Sequence, residues 1–181
     1  MHPIVRRLQG GDLRSKGRSE EVAAEVLENP RLLQPLLRGM LDEDPVVRMR
    51  SADAVAKICA IRPEELQPYK ELLINEIAKI GQQEVRWHVA EIFWYLTLDP
   101  EERRTVMEIL TGYLTDKSRI VKTCAMQALA KIAEQDPELR VIIVPMIREL
   151  TASGSPATAM YQLRFGQFSS EPRKCSASTP L

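Results

Sequence analysis

The chain has 181 residues, of which 44% are hydrophobic and 28% are charged, a composition typical of a folded globular protein. Its 25 basic residues balance its 25 acidic residues, so it lacks the overall basic excess that is usual in dedicated nucleic-acid binders. The sequence contains no run of about 18 apolar residues and no signal-peptide pattern. We therefore expect neither a membrane span nor secretion. The three cysteines are far apart and include no CxxC pair, so we expect a reducing, cytoplasmic location.

Amphipathic patterning predicts a domain at 18–163 between a flexible segment at 1–17 and a disordered tail at 164–181. The β-branched run at 141–144 is the best strand candidate, but it lies inside the helical frame, so we predict a helix there, with Pro145 as a place for a kink. The chain is therefore expected to be all-α. The predicted helices cover 18–28, 30–41, 45–61, 63–80, 83–97, 100–115, 118–134 and 137–151.

An internal repeat is visible in the positions of three prolines. Pro63, Pro100 and Pro137 are spaced 37 residues apart, and each is followed by glutamate. Proline presets the backbone for the first helical turn, and a glutamate there faces the positive end of the helix dipole. The spacing predicts that one helix of each repeating unit begins at these prolines.

A second series marks the other helix of each unit. Val47, Val85 and Val121 each open a stripe of apolar or small residues at positions i, i+4, i+7, i+8 and i+11. This spacing is one buried face of an amphipathic helix. The stripes are Val47, Ser51, Ala54, Val55 and Ile58; Val85, Val89, Ile92, Phe93 and Leu96; and Val121, Ala125, Ala128, Leu129 and Ile132.

The turn at 44–48, Asp-Pro-Val-Val-Arg, followed by alanines and aliphatic residues, resembles the signature of HEAT repeats, and the segment 118–132 is similar. The resemblance covers roughly residues 18–163. It implies an α-solenoid of antiparallel helix pairs with a period of about 37 residues, in which the second helices line a concave inner surface. It also implies a ladder between basic and acidic side chains of successive turns, formed by Arg48, Arg86 and Lys122 with Asp42, Asp44 and Asp116.

Residues suited to catalysis are few. His88 and Glu91 are three positions apart on a predicted helix, but no further ligand completes a metal site, and phosphate-binding loops and nucleophile motifs are absent. Cys59 and Cys124 fall in apolar helical patterns, so we interpret them as small core residues. We therefore predict a protein that is not an enzyme and that uses no cofactor or metal.

Four of the nine aromatic residues lie in one predicted helix, at 84–96. The helical phase that buries Phe93 turns Trp87, Glu91 and Trp94 away from the core, onto the face that solenoids use for binding. Alternatively, either tryptophan packs against a neighbouring helix, or the amino-terminal segment folds back and covers them. The same face of the flanking helices includes Met49, Asp53 and Gln127, which complete the predicted partner-binding set.

The first functional hypothesis is a non-catalytic scaffold or adaptor whose concave face binds a protein or peptide, with Asp53 and Glu91 attracting basic groups. The alternative is nucleic-acid binding, as in the HEAT-like DNA alkylation-repair proteins, through a basic set on the same face. A regulatory subunit acting on an enzyme is a third hypothesis. The basic set would be Arg48, Arg50, Lys57, Arg86 and Lys131.

Overall fold

The computed structural model describes residues 1–152, in which all regular secondary structure is helical and no strand is present. The end of the predicted domain, 153–163, and the predicted tail at 164–181 lie outside these residues. Three 3-10 segments, Pro30–Leu32, Pro63–Tyr69 and Ile77–Lys79, join the helices. The helices are α1 (Pro3–Arg6), α2 (Ser19–Glu28), α3 (Leu33–Gly39), α4 (Pro45–Ile61), α5 (Lys70–Asn75), α6 (Gln83–Tyr95), α7 (Pro100–Tyr113), α8 (Arg119–Gln135) and α9 (Pro137–Ala152).

Aspartate–proline pairs begin three of the longer helices. The Asp44 carboxylate accepts the backbone N–H of Val46 at the start of α4, over a distance of 2.8 Å. Asp99 and Glu102 form a complete capping box at the start of α7. In each case the side chain satisfies an N–H that the first turn leaves without an intrahelical partner. The boundaries that the sequence predicts for these helices therefore agree with the structure to within two residues.

Two predicted helices are interrupted. The segment predicted as one helix at 63–80 divides into a 3-10 segment, the short helix α5 and a second 3-10 segment. Pro68 lies inside the first segment, where it has no N–H to continue an α-helical ladder. The segment at 30–41 likewise begins as a 3-10 segment before α3. By contrast, α9 continues through Pro145 as one helix.

Four helices form a continuous row, in which α2 packs against α4, α4 against α6, and α6 against α8. Among the remaining helices, α3 packs against α4, and both α7 and α9 pack against α8. All fifteen residues of the three predicted stripes are buried, including Val47, Val85 and Val121 at 0% exposure. The predicted helical phase of α4, α6 and α8 is therefore confirmed.

The hydrophobic core extends into the amino-terminal segment that we expected to be flexible. Ile4, Val5 and Leu8 are buried with the residues of α2 and α3. The guanidinium of Arg50, which is 4% exposed, donates to the backbone carbonyls of Leu8 (2.8 Å), Gly10 (2.6 Å) and Ser15 (3.0 Å). The segment 1–17 is thus packed against the row rather than separate from it.

The expected ladder between successive turns is present with altered partners. Arg86 forms an ion pair of 2.6 Å with Asp116, as predicted. Arg48 instead donates to the side-chain oxygen of Gln82 (2.8 Å) and to the backbone carbonyl of Asp42 (2.7 Å). An amide oxygen of the following turn thus accepts from Arg48, whereas a carboxylate oxygen accepts from Arg86.

Candidate functional site

A groove of about 510 Å³ lies across the row formed by α4, α6 and α8. Its volume is within the range of binding sites for small molecules or for several side chains. Each helix supplies residues spaced three or four positions apart, which places them on one face, adjacent to the buried stripe. The lining residues are Asp53, Ala56, Lys57, Ala60, His88, Glu91, Trp94, Tyr95, Cys124 and Gln127.

Four of the six predicted partner-binding residues meet in this groove: Asp53, Glu91, Trp94 and Gln127. They come from three helices that are separated in sequence by more than 30 residues. The phase argument that assigned them to one face therefore predicted a real juxtaposition.

The two other predicted residues lie elsewhere. Met49 is 5% exposed, so the expectation that it forms part of an open surface is corrected. Trp87 packs against the hydrophobic core and does not line the groove. Its indole meets the ring of His88 edge-on, with centroids 5.6 Å apart. For Trp87 the alternative interpretation, packing between helices, describes the structure.

A row of polar contacts runs through the groove and joins three helices, α2, α4 and α6. Asp53 accepts hydrogen bonds from the Ser19 hydroxyl and the Lys57 ammonium. The Nε2 atom of His88 lies 3.8 Å from Oδ1 of Asp53, and its Nδ1 atom lies 2.8 Å from Oε2 of Glu91. An ionised carboxylate can only accept, so the short contact assigns the imidazole hydrogen to Nδ1.

The two carboxylates differ in how open they are. Asp53 has 15% of its side chain exposed, whereas Glu91 has 44%. Burial alone would raise the pKa of the Asp53 carboxyl, but hydrogen bonds from Lys57 and Ser19 outweigh it, so the pKa lies below its ordinary value. Asp53 is therefore an ionised and well-bonded residue of the groove wall, and Glu91 is the carboxylate that faces the open volume.

The chemistry of Cys124 argues against a nucleophilic role. Burial, reinforced by the neighbouring Glu91 carboxylate, raises the pKa of its thiol to about 12. The thiolate is the reactive form of cysteine, and at neutral pH this thiol stays protonated. Its Sγ atom lies 3.9 Å from Oε1 of Glu91, where it acts as a weak donor to the carboxylate. Among residues 1–152, no three His, Cys, Asp or Glu side chains are arranged to hold a metal ion.

The basic residues proposed for nucleic-acid binding all have partners. Arg50 is buried against the amino-terminal carbonyls, and Lys57 is bonded to Asp53. Lys131 pairs with Glu134 at 3.1 Å, and Arg48 and Arg86 belong to the ladder between turns. These five residues thus do not combine into a free basic stripe.

Sequence reasoning missed several members of the groove. Lys57 and Cys124 were assigned to other roles, and Tyr95, one of the four aromatic residues at 84–96, was not among the predicted site residues. Ser19 was not singled out, because its contact with Asp53 joins residues 34 positions apart. The spacing of His88 and Glu91 was the one available signal for the polar row.

No protein-family model matches the chain, and no curated protein or solved structure shows significant similarity to it. Within the part of the chain that the structure describes, no helix combines the length and apolarity needed to cross a bilayer.

Proposed function

We propose that the chain is an α-solenoid of HEAT-like helix pairs and that it acts as a non-catalytic scaffold or adaptor, holding a protein or peptide in the groove of α4, α6 and α8. The observation that carries this proposal is the groove itself. It joins a half-exposed carboxylate, Glu91, to the aromatic side chains of Trp94 and Tyr95. Aromatic residues in a concavity with few polar anchors are typical of protein-binding surfaces.

Regularly spaced contacts between neighbouring units support the solenoid part of the proposal. The hydrogen bonds Arg48–Gln82, Arg103–Asp136 and Tyr113–Ala78 join residues 34, 33 and 35 positions apart. In a stack of repeats each unit contacts its neighbours, so equivalent contacts recur at a separation close to the repeat length. These separations are close to the 37-residue spacing of the helix-starting prolines.

Nucleic-acid binding is not favoured by a comparable observation. Such binding draws most of its affinity from lysine and arginine side chains that neutralise phosphates. The five basic residues considered for that role are bonded to acids, an amide or backbone carbonyls. A phosphate backbone would have to displace those partners.

The test is site-specific photo-crosslinking in the cells from which the chain derives. A benzophenone amino acid replaces Tyr95, which is 44% exposed in the groove, and in a matched control it replaces Val141, which is 75% exposed on α9. We expect a discrete protein adduct from position 95 and not from position 141. The same adducts from both positions, no adduct at position 95, or an adduct that nuclease removes would contradict the proposal.

A further inference from the structure

The charges that line the groove do not balance. Asp53 and Glu91 contribute two carboxylates, against the single ammonium of Lys57. A further carboxylate, that of Glu20, lies 3.7 Å from the Lys57 ammonium but is itself paired with Lys16, so it adds no net charge. The groove therefore carries a negative excess in a concave site, where field lines concentrate, and this favours a cationic occupant.

Glu91 is the carboxylate that can receive such an occupant. Asp53 is mostly buried and already accepts from Ser19 and Lys57. Glu91 is 44% exposed and has one contact at each oxygen, to His88 and to Cys124. A carboxylate offers about four lone-pair sites, so the Glu91 oxygens keep capacity for further donors. We expected both Asp53 and Glu91 to attract basic groups, and of these two acids Glu91 is the one that has capacity to do so.

The neighbouring aromatic side chain favours one kind of cation. Trp94 lies three positions after Glu91 on α6, so both side chains line the groove from the same face. A guanidinium is planar, donates two parallel N–H groups to a carboxylate and stacks on an aromatic ring, whereas an ammonium is compact and strongly hydrated. From this pairing we propose that the groove holds one arginine side chain of the partner, with Glu91 as the acceptor and Trp94 as the stacking surface.

This inference rests on the proposed function, but its test needs no partner. The chain labelled with ¹⁵N is titrated with N-acetyl-arginine amide, and the Trp94 indole and Gln127 amide signals are followed by NMR. N-acetyl-citrulline amide, a neutral isostere of the arginine probe, and N-acetyl-lysine amide are titrated separately for comparison. For the arginine probe we expect saturable chemical-shift changes with an apparent Kd in the millimolar range. For each of the other two probes we expect an apparent affinity at least about threefold weaker.

Two variants separate the acceptor from the general charge of the chain. Glu91→Gln should lower the affinity for the arginine probe by about tenfold, since it removes the charge of the pair. Glu84→Gln makes the same change of charge on α6 outside the groove lining and should leave the affinity unchanged. A melting curve for each variant confirms folding.

The outcomes distinguish this inference from the proposed function. Equal binding of citrulline or lysine, equal loss in both variants, or no saturable shift with the arginine probe overturns the arginine inference. If a protein adduct still forms at position 95 in any of these cases, the scaffold proposal stands. If the arginine probe binds as described but no adduct forms, the scaffold proposal fails and the arginine site stands.

Discussion

The Nδ1 atom of His88 donates to Oε2 of Glu91 over 2.8 Å, and this bond holds the open carboxylate of the groove against an imidazole that is 13% exposed. His88 also lies near Oδ1 of Asp53 on α4, whose Oδ2 accepts from Ser19 of α2. The orientation of one exposed acid therefore depends on side chains from three helices. Such a polar row is a means of pre-organising a binding group before the partner arrives.

The first prediction concerns the close packing of α3 against α4 at Gly39. A Cβ atom added at Gly39 would lie 2.5 Å from Oγ of Ser51, which is itself buried without a hydrogen-bond partner. Gly39→Ala should therefore lower the free energy of unfolding by about 1–3 kcal/mol through overpacking. Chemical denaturation measures the change.

A double variant provides the control for this prediction. Ser51→Ala alone should be nearly neutral, because it removes an oxygen that has no hydrogen-bond partner. Combined with Gly39→Ala, it should recover most of the lost stability, a non-additive result expected for atoms in contact. Additive losses would show that this contact does not set the distance between the helices.

The second prediction concerns the buried guanidinium that holds the amino-terminal segment. Arg50→Met keeps the length of the side chain but leaves the carbonyls of Leu8, Gly10 and Ser15 without their donor. We expect a loss of about 2–4 kcal/mol in the free energy of unfolding, with faster hydrogen exchange at residues 8–17. Arg119→Met, at an exposed arginine of α8, is the control and should change neither quantity. Unchanged exchange at 8–17 in Arg50→Met would mean that other contacts hold the segment.

The third prediction is a pH dependence of stability that comes from Asp53. Its pKa in the folded chain lies below the ordinary value of 3.8, because bonds from Lys57 and Ser19 outweigh the effect of burial. The unfolded state thus takes up the proton first as the pH falls, so the stability from ionised Asp53 is present above 3.8 and is lost below it. The difference in unfolding free energy between the wild type and Asp53→Asn should be largest near neutral pH and shrink below 3.8. A difference that stays constant in acid would contradict this assignment.

Much of the fold could be predicted because the relevant signals are local. Proline with a preceding aspartate marks where α4, α7 and α9 begin, and the spacing of Val85, Val89 and Phe93 fixes the buried face of α6. The division of the segment at 63–80 was missed, although Pro68 was visible, because the amphipathic pattern continues on both sides of it. The burial of Ile4 and Leu8 was not predicted, since the contacts that hold this segment join its carbonyl groups to Arg50, 35 to 42 residues away.

Part of the groove could also be predicted, because helical phase is a local signal. The helical phase assigns Glu91 and Trp94 to one face, but it does not say how far neighbouring helices cover each residue along that face. Trp87, two turns earlier than Trp94, packs partly buried against the core and meets the His88 ring edge-on, whereas Trp94 lines the groove. Two tryptophans seven positions apart thus have different surroundings.

This difference provides the most direct measurement of the central claim, that the groove of α4, α6 and α8 binds a partner. The melting temperature and the yield of the photo-crosslinked adduct at position 95 are compared for Trp94→Ala and Trp87→Ala. We predict that Trp94→Ala lowers the yield by more than about tenfold while the melting temperature barely changes, since truncating a binding hot spot costs about 2 kcal/mol or more. Trp87→Ala should instead lower the melting temperature and leave the yield of the folded fraction intact. A Trp94→Ala variant that loses stability but keeps the full yield of adduct would contradict the account.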